Sequence, residues 1–491
     1  MRKPALLSSV VPMFRPAIAL AGALSLAACG ASTPAGGSAA VGESAASGAT
    51  DSETKESSPQ SKSGASPKQP KTDPLFPSRK VGWKAVDAKA RKPLRALADD
   101  YLKFIARATT PRRAITALTD IARASGAVEM SFADRTASGG FYFAVARGAT
   151  AAVFVRPGSL PVTEGLQVVV VSIDAPRIVL KQTPVHERHG FAVLQTKLHG
   201  GIDLASWMVH PLALYIYADR GANNKPVDVA IGTAPGDPVF SIPDVLPHLS
   251  SGVQSRRRPV KDAERLDALA ARTNAALVEG LRARGIDIAS LSAAEAYLIP
   301  SAKPAYVGVD RGLVGAYGQS RRALAFAAVR ALTDAKPDRA IAVIAIDRSE
   351  SDGTGSTGDG FVTRALSAII ASLAPDADVY DAQRSLSKTR VVVATPTDKG
   401  RNSGVLLNPR SADSLPRMVA AATRALDTDK VQYRVDSGRI RSPSRSFATL
   451  DLDAIDMSIA VTGSGTPGEL LSVLDLYQGF LACRAWLSHS R

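Results

Sequence analysis

The runs that most constrain this chain are short and apolar on both faces. Val168-Val169-Val170-Val171 and residues 340–346 show no polar alternation. A strand with one wet face alternates, so strands this uniformly apolar must lie between two helical layers. Helical periodicity over 94–106, 114–122, 321–333, 361–373, 415–426 and 468–487 separates strand-like runs at 141–147, 166–173, 340–346, 390–394 and 446–452. A β-rich stretch over 186–249 interrupts this series, and a long helix is expected over 263–284. The pattern predicts an α/β/α sandwich whose mixed, mostly parallel sheet is interrupted by a small β-rich insert.

Length and composition exclude several alternatives. With 491 residues, 45% of them hydrophobic, the chain can bury a large core, so neither a disordered chain nor a small stapled scaffold is expected. Two cysteines rule out a disulfide framework or a cysteine-built zinc site. The formal charge of +15 stays positive once Arg2, Lys3 and Arg15 are removed with a leader. Its arginines are scattered without interleaved aromatics, which does not describe a nucleic-acid surface; outside a cell the available anions are lipid headgroups, acidic peptides and wall polymers.

The first segment is an address. Basic residues precede an apolar stretch from Ala17 to Ala28, too short to span a bilayer, which ends in Leu26-Ala27-Ala28-Cys29-Gly30. This resembles a bacterial lipobox: residues 1–28 form a signal peptide, whether Met1 or Met13 is the start, and Cys29 is the lipidated residue. The expected product is exported and anchored by lipid to the outer face of the cell membrane. Residues 29–80, rich in Ser, Gly, Ala, Pro and Lys, read as a disordered tether. The folded body divides into 81–185, an insert over 186–258 and a second part over 259–491. Cys483 sits in an apolar helical pattern as a small buried hydrophobe.

Two glycine patterns fit G-x-G-x-x-G: Gly353, Gly355 and Gly358, and Gly463, Gly465 and Gly468. The second lies near the end of the chain and has no acid about twenty residues on to hold a ribose, so both read as flexible loops. His186-Glu187-Arg188-His189 has the look of a metal motif, but in a β-rich region its spacing does not align two imidazoles, and it reads as a surface loop.

Val168–Arg177, followed by Leu180-Lys181, Pro184, Gly200-Gly201, Trp207 and Leu212, resembles the aspartyl aminopeptidase (aminopeptidase I) family of zinc metallopeptidases, whose strand ends in H-T-D-S-P before a Lys-Pro stretch and Y-G-G. The likeness extends to Asp100–Ile105, to Ser241-Ile242-Pro243 and His248-Leu249, to Gly318-Gln319-Ser320-Arg321 where the family has R-L-D-N, and to Asp347–Glu350 where it has D-x-E-E. It covers about 84–487. It implies a dinuclear zinc site of two terminal imidazoles, two terminal carboxylates and one bridging carboxylate. It also implies a dimerising insert, and so a homodimer or larger homo-oligomer.

Placed on that frame, Ser172 replaces the first metal histidine, Ser320 the bridging aspartate and Ser349 the general-base glutamate, while Glu350 keeps a ligand position. A further ligand carboxylate falls on Ala394-Thr395-Pro396, unless Asp398 supplies it by a slip in register, and the last histidine falls near Ile459 or Ala460. No histidine lies between His248 and His489. Asp174, which orients a metal-bound histidine in the family, and His248, which steadies the substrate carbonyl across a dimer, are retained; each serves equally well as a folding residue. A serine hydrolase built on Ser172, Ser320 and Ser349 would have only His248 as base. The resulting expectation is a pseudoenzyme without cofactor that binds a peptide or an anionic wall polymer. The alternative is an active zinc aminopeptidase releasing acidic N-terminal residues through displaced ligands such as Asp347, Glu350, Asp352 and Asp359.

Overall fold

The computed structural model describes residues 81–489 except 132–139, 209, 220–224, 244–265, 348–358, 410–413, 437–446 and 448–450. The strands are β1 (Val128–Glu129), β2 (Tyr142–Ala146), β3 (Ala151–Arg156), β4 (Gln167–Ser172), β5 (Arg177–Arg188), β6 (Phe191–His199), β7 (Leu212–Ala218), β8 (Val227–Ile231) and β9 (Asp267–Ala271). They continue as β10 (Glu295–Pro300), β11 (Ala305–Val307), β12 (Leu313–Ala316), β13 (Ile341–Ile346), β14 (Arg390–Thr397), β15 (Val405–Asn408), β16 (Tyr433–Val435), β17 (Asp453–Thr462) and β18 (Glu469–Ser472). The helices are α1 (Arg91–Arg107), α2 (Pro111–Ala124), α3 (Leu204–Trp207), α4 (Asn274–Arg282), α5 (Gln319–Asp334), α6 (Asp359–Leu373), α7 (Val379–Ser387), α8 (Pro416–Thr428) and α9 (Val473–Ser488).

The main sheet runs β1-β2-β3-β13-β4-β14-β17-β18-β12-β11. At its centre β13, β4, β14 and β17 are parallel, and antiparallel pairings flank them. Successive residues of β4 serve opposite layers, as a strand with no wet face requires. Val169 and Val171 join the core beneath α1, α2, α5, α8 and α9. Val168 and Val170 join the core beneath α6 on the other face. The expected α/β/α sandwich is therefore present, and α5, whose Ala323 to Leu332 is nearly all buried, is its central helix.

A second, six-stranded sheet of order β8-β7-β10-β5-β6-β9 has its own core. It is wider than the 186–258 insert, since β5 begins it at Arg177 and β10, placed between β7 and β5, closes it at Pro300. The helix expected over 263–284 divides. Residues 267–271 form β9, drawn into the sheet by pairing with β6, and α4 begins only where Thr273 accepts the Ala276 N–H. The helix expected to start at 468 is likewise preceded by β18, which pairs with β12, and begins at Val473. The last central strand begins at Asp453 rather than near 446, after a left-handed residue at Asp451 (φ 56°).

Candidate functional site

In open α/β sheets ligands gather at the carboxyl ends of the parallel strands. Ser172 ends β4 there, in register with Ile346 of β13, so the chain past Ser172 and the chain past Ile346 emerge side by side. Ser172 Oγ accepts the Asp174 N–H at 3.3 Å. Asp174 turns back into the protein. It accepts the Ala175 N–H at 2.8 Å, a bond from the Arg177 guanidinium, and a bond from His199 Nε2, which lies 3.1 Å from Oδ2. Facing only carboxylate oxygens, Nε2 carries the proton in this contact. Arg177 also donates to the Ala175 carbonyl at 3.2 Å and reaches Asp347 at 3.4 Å, and it lies 4.8 Å above the Tyr297 ring.

Burial pushes the Asp174 carboxyl upward, but the His199 hydrogen bond and the Arg177 charge outweigh it and hold the group well below the usual carboxylate range. Asp347 moves the other way: burial raises its pKa, Arg177 opposes this, and the adjoining Asp174 charge adds to the rise. Burial also pushes Tyr297 up to about 12.

Ser320 lies in the first turn of α5, entered through Gly318 in the left-handed region (φ 76°). Its N–H and its hydroxyl both donate to the Glu469 carboxyl, at 2.7 and 3.0 Å, and the Gly465 N–H adds a third bond at 3.2 Å. A carboxylate is well placed there, where free backbone donors and the helix dipole converge. Burial nevertheless raises the Glu469 pKa against the hydrogen bonds from Ser320 and Gly465. The second glycine pattern is thus a packed turn rather than a flexible loop. Trp207 Nε1 donates to the Gly465 carbonyl at 2.8 Å, and Gly465 (φ 85°) passes so close to Gly201 that a Cβ would stand 2.3 Å from its carbonyl oxygen. Glu469, the residue after the third glycine of the pattern, holds the start of α5.

The loop after β4 and the start of α5 touch. Arg322, fully buried, donates to the Ile173 carbonyl at 3.0 Å and the Thr109 carbonyl at 3.3 Å. Ser172, Asp174 and Ser320 therefore share one edge of the sheet. His248, Ser349, Glu350, Asp352 and Cys29 lie outside the described residues, as does the side chain of Asp359. On β14 and β17, Thr395 and Ser458 share a hydrogen bond of 2.6 Å, and Ile459 and Ala460 are buried apolar residues. His186 faces the Thr183 carbonyl at 3.0 Å, and His189 sits in the β5–β6 turn with φ 52°.

Sequence reasoning missed Arg177, His199 and Glu469. One signal was present: Arg177 opens the otherwise apolar Ile178-Val179-Leu180, and an arginine there calls for a buried partner. Among the described residues, the donors at this edge of the sheet do not fit a dinuclear zinc centre. Ser172 and Ser320 are neutral hydroxyls, that of Ser320 is spent on Glu469, and a guanidinium lies between Asp174 and Asp347. Among the described residues, no group of three or more His, Cys, Asp or Glu is arranged to hold a metal.

The family described as "Aminopeptidase I zinc metalloprotease (M18)" matches residues 104–387. A "Probable M18 family aminopeptidase 1" of Thermotoga maritima is 27% identical over 439 residues, 80% of this chain and 96% of the relative. A protein of the same name from Thermotoga neapolitana is 29% identical over 443 residues, 81% and 96% of the two chains. The crystal structure of an M18 aminopeptidase from Thermotoga maritima superposes with a TM-score of 0.75 at 26% identity, covering 84% of this chain and 99% of that one. The dodecamer of S. cerevisiae mApe1 shares the fold, with a TM-score of 0.65 at 15% identity, over 82% and 98% of the two chains.

Proposed function

Since the chain belongs to the aminopeptidase I zinc metalloprotease (M18) family, we propose that it uses the family fold for binding rather than for zinc-dependent hydrolysis. One observation carries this reading: Asp174 is not directed at an imidazole from position 172 but is held by Arg177 and His199, with Arg177 also reaching Asp347. A nearby guanidinium repels a dication, and the serines offer no charge to balance one. The same proposal has the body tethered to the outer face of the cell membrane through lipid on Cys29, assembled as a homodimer or larger homo-oligomer, and offering its cleft to a peptide or an anionic wall polymer.

A second reading is favoured by the family's zinc chemistry and by the relatives' names: an active aminopeptidase that removes acidic N-terminal residues through displaced ligands, with Asp347 at the mouth of β13 as one of them. Purified protein loaded with zinc and given aspartyl and glutamyl p-nitroanilides separates the two. The binding reading expects no chelator-sensitive release. Release abolished by chelator, with about two zinc ions per chain, overturns it. Light scattering at a monomeric mass overturns the proposed assembly, and an unchanged membrane fraction after Cys29→Ser overturns the tether.

A further inference from the structure

The chain enters its folded body through a short basic stretch. From Val81 to Ala98 the only acid is Asp87, against Lys84, Lys89, Arg91, Lys92 and Arg95. Two short helical turns, Trp83–Ala85 and Ala88–Ala90, lead into α1. This root is fixed to the body. The Gly82 N–H donates to Gln432 Oε1 at 2.7 Å, Val86 packs against the main core, and Leu94 and Leu97 are buried. Asp87 accepts the Lys89 N–H at 3.1 Å, and Arg95 is spent on the Arg311 carbonyl at 2.6 Å. Lys84, Lys89, Arg91 and Lys92 are exposed, and none of them forms an ion pair among the described residues. Folding does not account for these charges: Arg91 and Lys92 open α1, where the helix dipole favours acids and disfavours cations. The next acids, Asp99 and Asp100, lie about two turns further along α1. An exposed Arg401 flanks the root, since Gly82 closely approaches the carbonyl of the following residue, Asn402. Beside these cations Trp83 is 38% exposed, whereas Trp207 and Trp486 are 0% and 2% exposed.

We propose that Trp83, with Lys84, Lys89, Arg91, Lys92 and Arg401, is a membrane-docking patch that seats the root of the body on anionic phospholipid headgroups. This rests on the reading that the chain is tethered to the membrane through Cys29, because the patch is the part of the described chain nearest in sequence to that anchor. An indole half in protein and half in water suits the headgroup level of a bilayer, where its ring is buried and its N–H keeps a partner. Lysine and arginine hold their charges at the phosphates while their stems cover apolar surface. Each cation close to an anionic surface strengthens binding roughly fivefold. A lipid anchor and a basic patch are two signals, and two signals make attachment stable. A soluble polyanion matches the charges but has no apolar layer for an indole, so the tryptophan selects lipid.

The experiment uses the full chain carrying Cys29→Ser, so that no lipid is attached, with vesicles of mixed phosphatidylglycerol and phosphatidylcholine or of phosphatidylcholine alone. The leader holds no tryptophan and the other two are buried, so the fluorescence reports Trp83. On mixed vesicles its emission is expected to move to the blue, to be quenched by brominated acyl chains, and to revert as salt is added. Phosphatidylcholine alone gives no response, and Trp83→Phe removes it. Arg91→Gln with Lys92→Gln is expected to raise the lipid concentration at half response about 25-fold. If that pair disturbs α1, Lys84→Gln with Lys89→Gln, which lie before the helix, carries the same expectation. Unchanged emission on mixed vesicles, an equal response to both vesicle types, or a double variant that responds like its parent overturns the inference. Polyglutamate bound through the same lysines and arginines, with Trp83 silent on vesicles, assigns the patch to a soluble polyanion and overturns it too. The tether is read separately, from the membrane fraction of the native chain and of Cys29→Ser after a high-salt wash, which releases a basic patch but not an acyl chain. Equal fractions overturn the tether, whereas a silent Trp83 overturns only this inference.

Discussion

Restoring the family's bridging carboxylate by Ser320→Asp is expected to destabilise the protein rather than to rebuild a metal site. Ser320 Oγ lies 3.0 Å from Glu469 Oε1, and Glu469 is 1% exposed. An aspartate at 320 puts a second carboxylate about 4 Å from the first. At an effective dielectric near 20, two charges at that distance repel by about 4 kcal/mol. The Ser320 hydroxyl bond is lost as well, worth about 1 kcal/mol. Protonation of one carboxyl caps the cost, and Glu469 already has a raised pKa through burial. The expected loss is therefore about 2–4 kcal/mol at pH 7.5. A carboxyl whose folded pKa is raised gives stability that is present at low pH and lost as pH rises, so the deficit should shrink at pH 5.5. Urea unfolding at the two pH values measures this, with Glu469→Gln and the double variant completing the cycle. Because a glutamine side chain carries no charge, the double variant should recover most of the loss at pH 7.5. The reasoning fails if Ser320→Asp is as stable as the native chain at pH 7.5, if its deficit does not depend on pH, or if Glu469→Gln does not relieve it.

Two further outcomes are expected. Gly465→Ala forces a left-handed backbone onto a side chain and drives its Cβ into the Gly201 carbonyl, costing on the order of 3 kcal/mol; an unchanged denaturation midpoint would refute the packed turn. Asp475, buried at the start of α9, accepts the Asn402 and Gly404 N–H groups, and burial raises its pKa to about 6 from 3.8. Its contribution is complete below about pH 4 and is lost as pH rises through about 6, a span of roughly 3 kcal/mol. The stability difference between the native chain and Asp475→Asn should therefore vary with pH across that window, and a constant difference would contradict it.

The central layer was legible because its signal is local. A strand that is apolar at every position has one solution, burial on both faces, and β4 and β13 adopt it. Amphipathic helices such as α1 and α2 are legible for the same reason, with Thr110 capping α2 through a bond from the Arg113 N–H. Edge elements were not. Residues 267–271 and 469–472 carry helix-compatible sequence and became strands only because β6 and β12 offered them unpaired backbone.

By itself, then, the sequence determined the sandwich, the family likeness, the serines at 172 and 320 and the shortage of histidine between 248 and 489. What those serines are bonded to was decided only in three dimensions. Glu469 reaches Ser320 across 149 residues, and Asp347 reaches Arg177 across 170. No local preference encodes such pairs. They form because chain packing removes water from both partners, and a charge stripped of water must find its counterpart wherever the fold has placed it.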